Sequence, residues 1–132
     1  MRISTRGRYA LRVMLDIAEH DNGTYIPLKD IAARQDISKK YLEIIAKSLV
    51  SAELIIGASG KGGGYTLSRS PEQYSVGEII EAVEDALSPV ACLSNKEYEC
   101  KRKGLCKTLP MWIEYEQLTH DFFYSKKLSD FL

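Results

Sequence analysis

Residues 28–67, LKDIAARQDISKKYLEIIAKSLVSAELIIGASGKGGGYTL, constrain the fold of this chain more than any other stretch. A short helix is predicted after Pro27, with Leu28, Ile31 and Ala32 turned inward. RQDIS makes a tight turn, and Ser38 stands where an N-cap belongs. A longer helix follows over KKYLEIIAKSLVSAEL, with Leu42, Ile45 and Leu49 on one face. Two short apolar strands, 54–56 and 65–67, then flank a tip with five of the chain's nine glycines: Gly57, Gly60, Gly62, Gly63 and Gly64. Glycine at that density permits positive φ and a close backbone approach to a partner. Two helices joined by a tight turn form a helix-turn-helix, and a hairpin straight after the second helix is a wing. Either feature alone is a weak signal; in this order they specify a winged helix-turn-helix.

The outer face of the longer helix shows Lys39, Lys40, Glu43 and Lys47, with Tyr41 near its start. A recognition helix reaches bases and phosphates from such positions. For the helix taken alone, a merely solvated face is the standing alternative. At the glycine tip, Lys61 can reach a phosphate or a minor groove. GASGKGGG is no phosphate loop, because no helix follows it and the GK[ST] ending is missing. Net charge is zero, yet residues 1–65 hold ten Lys and Arg against seven Asp and Glu, and residues 66–132 hold eight against eleven. The front is mildly basic and the back mildly acidic, which suits a nucleic-acid partner at the front.

The rest of the chain supports that head. Ser4 or Thr5 caps a first helix with Ala10, Val13, Met14 and Ile17 inward, which stops near Gly23, and TYIP is a short extended connector. Ser75 and Glu78 form a capping box for a fourth helix striped by Val76, Ile79, Ile80, Val83 and Leu87 and ended by Pro89. A last helix is predicted over roughly 109–124, where Met111, Tyr115, Leu118 and Phe122 repeat at helical spacing and Trp112, Ile113 and Phe123 widen the apolar surface. So broad an apolar surface in a short chain predicts cover from a second subunit, burial within one chain being the alternative. The tail KKLSDFL adds one more apolar turn. No window approaches the roughly 18 to 20 apolar residues of a membrane span or the pattern of an export signal, so a cytoplasmic location is expected.

Residues 91–106, ACLSNKEYECKRKGLC, hold all three cysteines of the 132-residue chain. The spacing, C-x7-C-x5-C, lacks the C-x2-C knuckle of structural zinc. Iron–sulfur clusters are larger and accept longer loops of thiolates. Lys96, Lys101, Arg102, Lys103 and Lys107 would offset the charge of a thiolate-bound cluster, and Gly104 helps the loop fold around it. Another metal, a thiol redox switch and a loop without a role rank behind that reading. Three thiolates leave a fourth ligand open. His120 lies fourteen residues beyond Cys106, about 20 Å along a helix, which argues against it as an intrachain ligand. A carboxylate, a backbone group or a residue of a second subunit are the other candidates. A redox enzyme is the weakest reading, since no C-x-x-C pair and no nucleotide loop exist.

Taken in order, MRISTRGRYALRVMLDIA, IPLKDIAARQDISKKYLEIIAKSL, GKGGGYTL, SVGEIIEAVE and the cysteine loop followed by LPMW resemble the iron–sulfur cluster regulator (IscR-like) family, which also includes nitric-oxide, iron and cysteine-metabolism repressors. The resemblance covers essentially the whole chain. It implies a homodimer crossed through the last helices, an operator-binding repressor or activator, and a cluster held by Cys92, Cys100 and Cys106. Met111, Trp112, Tyr115, Leu118 and Phe122 are the expected dimerisation residues, twofold symmetry suits a palindromic operator, and a two-iron cluster is expected ahead of a four-iron one. Ser38, Tyr41 and Glu43 match positions facing bases or phosphates, and Gly60 to Gly64 match the wing. This chain departs from the pattern in a longer first cysteine gap, in Leu109 where the founding type has a histidine ligand, and in Ser59 where the wing often carries arginine. Those departures leave the cluster type, the fourth ligand and the operator sequence open.

The expected architecture is mainly α with a small β-hairpin: a DNA-binding region over 1–75 with its wing at about 54–68, then 76–132 with a cysteine loop at 91–107 and a dimerisation helix. The expected function is a transcription regulator controlled by an iron–sulfur cluster, not an enzyme. A cluster-free repressor controlled by a protein effector or by thiol redox state is the alternative.

Overall fold

The structure, a computed structural model, describes residues 2–84, 87–94 and 100–132. Its elements run α1 (Thr5–Glu19), α2 (Leu28–Gln35), α3 (Lys39–Ser51), β1 (Ile55–Ala58), β2 (Gly64–Leu67), α4 (Val76–Val83), α5 (Ala91–Ser94) and α6 (Leu109–Ser125). Single 3-10 turns at Pro71–Gln73 and Leu128–Phe131 precede α4 and follow α6. Mainly helical with one antiparallel hairpin, the architecture is the expected one.

Local chemistry sets the helix starts. Ser4 accepts a hydrogen bond from the Gly7 N–H at the head of α1, and Ser38 accepts one from the Tyr41 N–H at 3.2 Å at the head of α3. At Ser75 the capping box is complete, with Glu78 reaching back to the Ser75 N–H. α2 ends at Asp36 in the left-handed region (φ 52°, ψ 51°), which aspartate tolerates better than most residues. That turn buries Ile37 and aims α3 across α2.

One core then forms from Ala10, Val13, Met14 and Ile17 of α1, Ile31 of α2, Leu42, Ile45, Ala46 and Leu49 of α3, and Ile79 and Val83 of α4. Two polar devices lock it. Asp16, fully buried, receives Arg34 Nη2 at 2.7 Å, Arg34 Nε at 3.0 Å and Gln35 Nε2 at 2.9 Å, which ties α1 to α2. Burial alone would raise the Asp16 pKa, but those hydrogen bonds and the Arg34 charge prevail and hold the carboxyl below its ordinary value. Tyr74, also fully buried, donates to the Leu54 carbonyl at 2.7 Å and accepts from the Ser68 and Arg69 N–H groups at 2.9 Å each. It clamps the foot of the hairpin to α4.

Two helix ends differ from expectation. The helix predicted over 39–54 stops at Ser51, and the chain turns through Glu53 at φ 60° to bury Leu54. The fourth helix, expected to include Leu87 and run to Pro89, stops at Val83. Glu84 leaves it in extended backbone and turns to α1, accepting from the Ser4 N–H at 2.8 Å and the Ser4 hydroxyl at 2.5 Å. Leu87 is still buried, packed with Val76 and Ile80 in a second small cluster that Ile3, Leu11 and Phe123 join. Its burial is what the apolar stripe recorded, although the helix ends before it.

α6 is held differently from every other long helix: none of its residues is buried. Its attachment lies at its end. The Tyr124 ring rests where a Cβ on Gly77 would be, and the Tyr124 hydroxyl donates to Glu81 at 2.5 Å. Beyond it Leu128 is fully buried, its N–H donating to the Tyr74 carbonyl at 3.1 Å, so the tail does supply one more apolar turn.

Candidate nucleic-acid interface and cysteine segment

The four inward residues Leu42, Ile45, Ala46 and Leu49 fix the rotation of α3, and what remains faces out. Ser38, Lys39, Lys40, Glu43 and Lys47 are all exposed, and Lys39, Lys40 and Lys47 form no ion pair among the described residues. Lys39, Glu43 and Lys47 line one side of an open groove of about 870 Å³. Gly57, Ala58, Ser59, Gly63 and Gly64 of the wing line the other. Tyr41 lies elsewhere. Half-buried, it packs edge-on against Tyr9 with ring centroids 5.7 Å apart, and it shares a notch with Ser4, Thr5, Arg6 and Ile44 on the opposite flank of α3.

The hairpin registers as Ile55 with Leu67, Ile56 with Thr66, Gly57 with Tyr65 and Ala58 with Gly64. Ser59, Gly60, Lys61 and Gly62 form the exposed tip, where Gly60 and Gly62 take φ of 85° and 78°. Gly64 has a different constraint. Its φ is 145°, and a Cβ there would overlap the Ile26 carbonyl, so only glycine fits. The close approach comes from Ile26, which bridges to Tyr65 by two backbone hydrogen bonds of 2.9 Å each. The connector 24–27 is thereby a third, one-residue strand of the wing. It brings Pro27, Leu28 and Lys29 into the groove wall, and Lys29 is a cation of this surface that helical periodicity alone did not reveal.

Cys92 sits on α5, and Cys100 and Cys106 flank the turn 101–105. All three are free and partly exposed. Hydrogen bonds from the Thr108 hydroxyl and from the Thr108 and Leu109 backbone hold the Cys106 thiol below its ordinary value, with help from the Arg102 charge. Lys101, Arg102, Lys103 and Lys107 are exposed beside it, while Lys96 lies outside the described residues. Three soft thiols outside any disulfide, with cationic neighbours, suit a thiolate-held cluster. Among the described residues, no three His, Cys, Asp or Glu side chains are gathered as ligands of one ion. His120 stacks on Tyr124, with centroids 4.2 Å apart, at the attached end of α6.

The expected dimerisation residues divide between two stripes of α6. Met111, Tyr115, Leu118 and Phe122 are exposed, at 43% to 63%, along one line. Trp112 belongs with Leu109, Glu116, Thr119 and Phe123, the half-buried stripe. No helix among the described residues is long and apolar enough to cross a membrane.

Residues 3–132 match the Rrf2 family, described as Iron-dependent Transcriptional regulator. Over 132 residues, which is all of this chain and 75% of the other, the sequence is 34% identical to the HTH-type transcriptional regulator IscR of Vibrio cholerae. CymR (YrzC), the global cysteine regulator of B. subtilis, shares the fold with a TM-score of 0.77 at 31% identity, over 99% of this chain and 95% of that one. IscR of T. potens does so with a TM-score of 0.76 at 30% identity, over 99% and 85% of the two chains. With the recognition helix and wing in place and relatives along its whole length, this chain belongs to the Rrf2 family of winged-helix, DNA-binding transcription regulators and is not an enzyme.

Proposed function

We propose that the chain acts as a homodimer on a palindromic operator, and that an iron–sulfur cluster held by Cys92, Cys100 and Cys106 sets its affinity for that operator. The observation that carries this reading is the cysteine segment: all three thiols are free and partly exposed on one basic stretch between α4 and α6, and none serves the core. Free cysteines are ordinarily buried singly as small apolar residues. When bound, the group would supply an occupancy that responds to iron, oxygen or nitric oxide. Within each chain, α3 enters a major groove, with Ser38 and Glu43 toward bases and Lys39 and Lys47 toward phosphates. Gly60, Lys61 and Gly62 approach the flanking backbone. The Met111, Tyr115, Leu118 and Phe122 stripe pairs with its copy on a second chain.

Coupling between the two regions has a physical route. Glu84, which ends α4 ahead of the cysteine segment, holds Ser4 by two hydrogen bonds. Ser4 caps α1 and borders the notch where Tyr41 and Ile44 of α3 lie. A rearrangement of the cysteine segment transmitted through Glu84 would shift the start of α1 against the reading helix, a coupling between two distinct sites.

Anaerobic purification tests the reading. Visible absorption with bound iron and sulfide, lost in a Cys92→Ala/Cys100→Ala/Cys106→Ala variant, is expected, together with unequal operator affinity of the two forms at one salt concentration. The likeness to the B. subtilis cysteine regulator, as close as that to T. potens IscR, favours one second reading: a cluster-free repressor under a protein effector or thiol redox control. A colourless protein with full operator binding would select it.

A further inference from the structure

Isoleucine at position 44 stands 50% exposed on the reading helix. At 100° per residue, the direction opposite Leu42, Ile45, Ala46 and Leu49 runs along Lys40, Ile44, Lys47 and Ser51. Ile44 thus lies near the outermost line of α3. One lysine sits a turn before it and another about a turn after it. The groove beside the wing takes Lys39, Glu43 and Lys47, and the notch beside α1 takes Tyr41 with Ser4, Thr5 and Arg6. Ile44 borders that notch from the crest of the helix.

A side chain there can do only certain things. It has no donor and no acceptor, so it contributes nothing to phosphate binding or hydrogen-bonded base reading. Its exposed methyl groups would leave water only against an apolar partner. On the major-groove edge of B-DNA the apolar group is the C5-methyl of thymine. The flanking lysines bring duplex to this surface whatever its sequence. On the reading that α3 enters the major groove, we infer that Ile44 is a specificity residue of this chain, one that selects thymine by its 5-methyl group in each half-site.

Uracil scanning tests this without changing any base-pair hydrogen bond. A bound sequence is first selected from random duplexes with the full chain, and each thymine is then replaced by uracil. The expected result is a loss of about four-fold at one or two positions per half-site, the value of one buried methyl group at about 0.8 kcal/mol. Ile44→Ala keeps a good helix former on an exposed face and is expected to bind thymine and uracil duplexes alike there. Its preferences at other positions and its salt dependence should stay as in the unaltered chain. Two results would overturn the assignment: uniform indifference of the unaltered chain to uracil, or unchanged uracil sensitivity in Ile44→Ala. Either would leave the DNA interface standing. Failure to select any sequence would remove the interface, and this inference with it.

Discussion

α3 and α6 are both long amphipathic helices, and the protein treats them oppositely. α3 has 13 residues and buries four of them; α6 has 17 and buries none. The outward face of α3 is mostly Lys, Glu and Ser, stable in water and suited to a polyanion. That of α6 presents Met111, Tyr115, Leu118 and Phe122 to solvent. α3 is backed by α1, α2 and α4, while α6 meets the apolar clusters and α4 through Phe123 and Tyr124, near its end. A helix whose core face is satisfied can leave a polar face exposed as a tool. The wide apolar face of α6, uncovered among the described residues, is the one that the proposed homodimer would bury.

Measurements on both helices would break or sharpen that contrast. The largest effect is expected beneath α3. Arg34→Ala strips the two-point partner from the buried Asp16 carboxylate, and breaking such a pair costs about 3 to 5 kcal/mol by denaturant unfolding. Asp16 also carries a pH signature. Because its native pKa is depressed, its stabilisation is complete above the ordinary value of 3.8 and is lost as pH falls through the lower native value. Acid titration of stability in the unaltered chain should show that loss, and Arg34→Ala should weaken it. Next comes Ile45→Ala on the buried face of α3, expected to cost about 2 to 5 kcal/mol.

On α6 the same kind of change should act elsewhere. Leu118→Ser with Phe122→Ser should move the stability of the isolated chain by only about 0.5 kcal/mol per site, yet shift sedimentation at micromolar protein from dimer to monomer. A large loss of chain stability with self-association intact would reverse the comparison. The smallest effect belongs to the outer face of α3. Lys39→Ala and Lys47→Ala should each flatten the salt dependence of DNA binding by about one unit, across all sequences. Tyr41→Ala and Glu43→Ala should instead alter base preference. For Tyr41 the packing against Tyr9 means that the change acts partly through the seating of α3.

Much of the reading head was legible from residue order. Ser38 announces the start of α3, the Ser75 and Glu78 pair announces α4, and the spacing of Leu42, Ile45 and Leu49 sets which face of α3 is free. These signals are local, carried by side chains that act within one or two helical turns. Glycine density at 57–64 located the wing. It did not show that Gly64 is required by the Ile26 carbonyl, since that contact joins positions far apart in the chain.

Sequence by itself therefore determined the helix-turn-helix, its caps, its core face, the wing, and the confinement of all three cysteines to residues 91–106. Tertiary structure alone decided that Ile26 extends the wing and turns Lys29 into the groove, and that Tyr41 leaves the groove for Tyr9. It also ended α4 at Val83, set Trp112 on the half-buried stripe of α6, and placed Ile44 beside the notch at the start of α1. The reason is one of range. Caps and periodicity are settled by neighbours along the chain, whereas these features depend on which distant surface arrives first to bury an apolar group or satisfy a polar one.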